Sequence, residues 1–172
     1  GRKHGRDSAR AMQDAMHDTV TEIENVVKAE GIECEWKRGG TLGFARTPLQ
    51  WQNAQEYIHH WEEWGYGAEH YALLSAGEAK ERAQVTNLFG ATYTPHVAAI
   101  NPAKLVRSLA NVVEKRGATI YEHTAATKIE PGKVTTQAGV IRARYVVRAT
   151  EGYTKSLEGQ KRKIVPIYSL MM

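Results

Sequence analysis

Cys34 is the only cysteine in the chain. That excludes an internal disulfide and suits a reducing compartment. Long apolar runs are also missing. Nothing approaches the roughly 20 consecutive apolar residues that a membrane helix needs, so no membrane partner is expected. Nothing at the start resembles a secretory signal. Together these absences make a cytoplasmic protein the expectation. Nor is there a large excess of one charge: Lys and Arg number 23, Asp and Glu 19, for a net charge of +4. The basic residues gather at the two ends, Arg2, Lys3, Arg6 and Arg10 and then Lys161, Arg162 and Lys163. A nucleic-acid protein concentrates such charge on one face, so these read as solvated ends and no nucleic acid is expected.

Familiar catalytic signatures are absent too. Seven histidines occur, His4, His17, His59, His60, His70, His96 and His123, with no HExxH and no His/Cys set at metal-ligand spacing. On spacing alone, no metal is expected. No Gly-x-Ser-x-Gly elbow marks a serine hydrolase. Gly65-x-Gly67 reaches His70 where a dinucleotide fingerprint needs a third glycine, and it follows a helix instead of a strand. Gly39-Gly40 has no Lys-Ser/Thr pair after it and reads as a tight turn into a strand. Cys34 alternates inward between Glu33 and Glu35, as a buried, inert thiol would.

What is present is ample for a core: 172 residues, 42% of them hydrophobic. Asp7 or Ser8 can cap a long helix whose apolar line runs Met12, Met16, Val20, Ile23 and Val27, closed by Gly31. Ile32, Cys34 and Trp36 alternate as in a half-exposed strand, and Thr41 to Ala45 form another. Thr47-Pro48-Leu49-Gln50 is a capping box with proline at the first helical position. It opens a helix that turns Ala54, Tyr57, Ile58, Trp61 and Trp64 inward, and leaves His59 and His60 to solvent. Tyr71 to Leu74 is a short strand, and Ser75-x-x-Glu78 a second capping box. Leu88 to Ile100 reads as loop plus extended chain, with Pro95 at an edge or bulge.

The most ordered pattern lies between Ile100 and Thr150. Asn101 caps a helix with Pro102 at its first position and apolar residues at Leu105, Val106, Leu109, Val112 and Val113. Gly117 ends it. Strands follow at Ala118–Tyr121, Ala125–Ile129 and Lys133–Gln137, the last two around a Pro131-Gly132 turn. A final strand spans Val140 to Thr150, most buried at Val146-Val147.

This order, NP-x-x-LV-x-x-LA, GA-x-I, T-x-x-T-x-I, a hairpin and VV-x-AT, resembles the middle of FAD-dependent oxidoreductases of the D-amino-acid oxidase type. The stretch from Trp36 to Ala45 is similar to that family's RxGxLxxA strand. Gly152-Tyr153-Thr154 and Ile164 to Ser169 are similar to its later segments, nearest the gamma-glutamylputrescine oxidase branch. The resemblance implies an α/β fold, the middle part of a Rossmann-like FAD-binding domain interleaved with part of an α+β substrate domain. Residues 1–40 and 101–165 would belong to the first, and 41–100 and 166–172 to the second. It implies oxidation of the C–N bond of a small amine or amino acid, with electrons passed from FAD to oxygen or another acceptor.

For cofactor contact it implies Ala126 near the adenine, and Ala149, Thr150 and Gly152 near the dinucleotide. It implies no catalytic residue, because the family's glycine-rich turn and the parts that complete its substrate pocket are not among these residues. Two residues depart from the pattern, Arg148 and Glu151, and they are expected to pair. The chain begins at Gly1 and stops at Met172 within an apparent strand, so a piece of a longer polypeptide is expected. Its partners would be the remaining parts of that polypeptide, or itself through the strand ending at Met172. A rival reading is a non-enzymatic module that binds a protein or nucleic acid through its basic ends.

Overall fold

The computed structural model describes residues 4–165 and 167. The chain divides into two compact units, residues 1–118 and 119–172.

The first unit opens with helix α1, Gly5–Ala29. Gly31, at φ +62°, ends it, and the Ile32 N–H returns to the Val27 carbonyl. The buried face of α1 is not the expected apolar line. Gln13, His17, Val20 and Val27 turn inward, while Met12, Met16, Ile23 and Val26 share an exposed stripe. The core that meets this helix accepts polar rings, so burial rotates around the helix toward His17.

Ile32 and Cys34 alternate inward as expected, but the segment forms no ladder. Glu35 lies at φ +57°, which breaks the extended path. Val27, Ile32 and Cys34 pack together with Trp36, Leu105 and Val112 around them.

Strands β1, Thr41–Ala45, β2, Ala72–Ser75, and β3, Gly90–Thr94, form an antiparallel sheet in the order β1-β3-β2. Helix α2, Pro48–Glu63, connects β1 to β2, and helix α3, Ala76–Arg82, leads on towards β3. Both helices start with the capping boxes read from the sequence: Gln50 and Glu78 N–H groups donate to Thr47 and Ser75 hydroxyls, and the side chains reach back. Each such cap is worth about 1 kcal/mol. Ala54 and Ile58 are buried on α2, but Tyr57 is exposed. Outside the sheet, Lys37 and Ala99 exchange two backbone hydrogen bonds of 3.0 and 2.8 Å.

Helix α4, Pro102–Lys115, is capped by Asn101 and closed at Gly117, φ +92°. None of its residues is fully buried, and Leu109, expected in the core, is exposed. Lys104 pairs with Glu35, and Arg116 with Glu30.

The second unit holds β4, Ala126–Glu130, β5, Lys133–Thr136, and β6, Val140–Arg142, an antiparallel sheet in that order. Gly132, at φ +71°, makes the expected turn. Two expected strands are not formed as written. Ala118–Tyr121 has no ladder partner among the described residues, and a strand without one has no backbone hydrogen bonds to hold it. The last strand ends at Arg142, because β5 offers only Lys133 to Thr135 to pair with it. Val147 is consequently 88% exposed instead of buried. The expected strand ending at Met172, and most of residues 166–172, lie outside the described residues.

Candidate functional site

Among the described residues, two places gather chemistry. One is the corner that follows β6. Thr150 leads into a 3-10 turn, Glu151–Ser156, and its hydroxyl lies 2.8 Å from that of Thr154. The Tyr153 N–H donates to the Thr150 carbonyl at 2.9 Å. Glu151 is left-handed, φ +37°, and this turns its carboxylate onto the Gly152 N–H. The expected Arg148–Glu151 pair is therefore not made. Arg148 donates instead to Gln160 at 2.8 Å, a residue that the turn after the 3-10 segment brings within reach.

Ala126 opens β4 opposite Thr136. Among the described residues no hydrogen bond joins it to the corner that holds Ala149, Thr150 and Gly152. A cleft of about 800 Å³ is lined by Lys128, Pro131, Arg144, Arg148, Leu157 and Gly159, and none of the four expected residues lines it.

The residues fit part of FAD. Alanine and glycine leave the backbone open to a flat ring or a ribose. The corner does not fit a pyrophosphate, since the Gly152 N–H is taken by a carboxylate that would repel a phosphate.

The other place joins α1 to the first sheet. His17 comes from α1, His70 from the turn before β2, and His96 from just after β3. The His17 and His96 rings stack at 3.6 Å, 9° from parallel. His70 Nδ1 lies 2.8 Å from His96 Nε2. His17 Nε2 lies 2.8 Å from the Tyr71 hydroxyl, which also accepts from the Gln13 amide at 2.9 Å. Tyr66 edges onto both His17 and His70 and donates to Asp14 at 2.7 Å.

Burial pushes His96 down to about 4, with the neighbouring His17 and His70 adding to the shift. His17 is lowered for the same leading reason, then by His70, against the pull of Asp14 and Asp18. The imidazoles of His17 and His96 are thus neutral near pH 7, with lone pairs available. Sequence spacing missed this cluster because 53 residues separate His17 from His70 and 26 separate His70 from His96. The only local signal was a histidine at the helical spacing of the face that is buried.

The family model for FAD dependent oxidoreductases matches residues 2–172. The chain belongs to this family. FAD is accordingly the family's cofactor, as the resemblance implied. A gamma-glutamylputrescine oxidoreductase from Escherichia coli is 28% identical over 155 residues, covering 88% of this chain and 36% of that relative's length. Among solved structures, glycine oxidase from Geobacillus kaustophilus covers 90% of this chain at 22% identity, with a TM-score of 0.65 and 41% of its own length matched. L-amino acid deaminase from Proteus myxofaciens, at 20% identity, gives a TM-score of 0.70 over 83% of this chain and 34% of its own. The likeness to these structures supports the mixed α/β fold. The chain spans little more than a third of the length of these proteins. No helix among the described residues is long and apolar enough to cross a membrane.

Proposed function

We propose that these residues form part of an enzyme that oxidises the C–N bond of a small amine or amino acid with FAD. The family match over residues 2–172 carries this reading, and the relative that acts on gamma-glutamylputrescine supports an amine substrate. Bound FAD would supply the electron-accepting chemistry, and the protein would position and tune it.

Residues 1–40 and 101–165 serve the cofactor and residues 41–100 the substrate. Ala126 lies beside the adenine, and Ala149, Thr150 and Gly152 border the dinucleotide with small side chains. Other parts of the same polypeptide supply the glycine-rich turn, whose N–H groups and helix N-terminus would hold the pyrophosphate.

Two measurements test this. FAD titrated into the 172-residue chain, followed by flavin fluorescence and calorimetry, should show only weak binding. Tight, stoichiometric binding would show that the nucleotide site is misplaced. In a polypeptide that adds the glycine-rich turn, anaerobic addition of gamma-glutamylputrescine, glycine or an L-amino acid should bleach the flavin. No bleaching with any amine or amino acid would overturn the assigned reaction.

A further inference from the structure

We propose that His17, His70 and His96 form a binding site for a divalent transition metal of the zinc, nickel or copper class. Each residue presents one ring nitrogen, and the three lie within 4.8 Å of one another. In a tetrahedral zinc site neighbouring ligand atoms stand about 3.3 Å apart, as bond lengths near 2.0–2.1 Å require. The rings must turn to close that difference. Nδ1 of His17 and Nδ1 of His96 are both buried without a hydrogen-bond partner. Buried polar atoms normally have partners, so two orphaned nitrogens in one cluster ask for a ligand.

The surroundings suit a metal in two further respects. His17 Nε2 meets the Tyr71 hydroxyl at 2.8 Å and the Gln13 amide at 3.0 Å; in the tautomer that donates from Nε2 to Tyr71 the ring is fixed and Nδ1 is left for coordination, the usual outer support of a metal-bound histidine. The cluster also opens onto a hollow of about 220 Å³ that Asp18 helps to line, with room for water in a fourth position. Arg38 lines the same hollow, but its charge is shared with Glu24 at 3.4 Å. The absence of thiolate ligands favours borderline cations bound by imidazole over soft ones. Because a metal lies in the plane of each imidazole, binding must tilt the His17–His96 stack and replace the His70–His96 hydrogen bond.

The test is calorimetric titration of the purified 172-residue protein with zinc chloride and nickel chloride, with the melting temperature recorded at each ratio. One ion per chain and a raised melting temperature are expected. His70→Asn and His96→Asn should each weaken binding by more than about tenfold while the circular dichroism spectrum stays that of the parent. A His59→Gln/His60→Gln variant, which alters exposed histidines elsewhere, should bind as the parent does. Imidazole proton resonances of three histidines should shift together on adding zinc. Absent binding, or binding that survives His70→Asn and His96→Asn but fails in the His59/His60 variant, would overturn the site.

Discussion

Tyr66 gives the chain a pH signature on the alkaline side. Its phenol is pushed up to about 12, first by burial and then by its hydrogen bond to the Asp14 carboxylate. The fold thus favours the neutral phenol. The stability this gives is fully present below the unfolded value near 10 and is lost as pH rises from there toward 12. Tyr71 is shifted the same way by burial and by Tyr57. Denaturant midpoints in metal-free buffer should therefore hold steady from pH 7 to 9 and then fall. Tyr66→Phe should flatten the fall without abolishing it, since Tyr71 remains; an equally steep fall in the variant would show that the phenol ionises freely in the folded state. Such effects were illegible in the sequence. Cys34 could be placed inside by alternation, and His59 and His60 outside. The value of His17, His70 and His96 depends on three distant segments meeting, which no local spacing encodes.

Elements were more legible than residues wherever capping was local. Thr47-Pro48 and Ser75-x-x-Glu78 place helix starts because the cap and its partner are three residues apart. The Pro131-Gly132 turn likewise needs only its own two residues. Strands were less legible, since a ladder depends on a partner: Ala118–Tyr121 has strand-like residues but pairs with none of the described residues. β3 shows another constraint, at Gly90. A Cβ there would overlap the Trp51 ring and the Leu74 carbonyl oxygen. Gly90→Ala should destabilise the first unit by about 1–3 kcal/mol, as overpacking does. Chemical denaturation would measure it, and an unchanged midpoint would mean that Trp51 moves aside at little cost.

Apolar surface left uncovered shapes the behaviour of the whole chain. Met12, Met16, Ile23 and Val26 stand exposed on one side of α1, and Val106 is 66% exposed on α4. Patches of this kind mark surfaces that other protein normally covers. Sedimentation of the 172-residue chain should therefore show association that grows with concentration, and Met12→Lys with Met16→Lys should reduce it. A monomer at all concentrations would mean that these side chains are tolerated in water. The hairpin of β4 and β5 and the family were recoverable from residue order, but the pairing of β1 and β2 with β3 was not. The division at residue 118 was not, because it depends on which segments pack and not on what any one of them prefers.

The Lys37–Ala99 bridge has a consequence for how such a chain can vary. The polypeptide leaves at residue 37, builds β1, α2, β2, α3 and β3, and returns to the same point at residue 99, where Asn101 N–H also donates to the Cys34 carbonyl at 2.8 Å. An excursion whose ends meet is a cassette. Its loop-closure cost rises only slowly with length, by about 0.6 kcal/mol for a doubling. Material can thus be added to it, or exchanged within it, while the clasp and the helices outside keep their places. The restraint lies against α1: a replacement must still meet Asp14 and Gln13, as Tyr66 and Tyr71 do, and present something that His17 can touch.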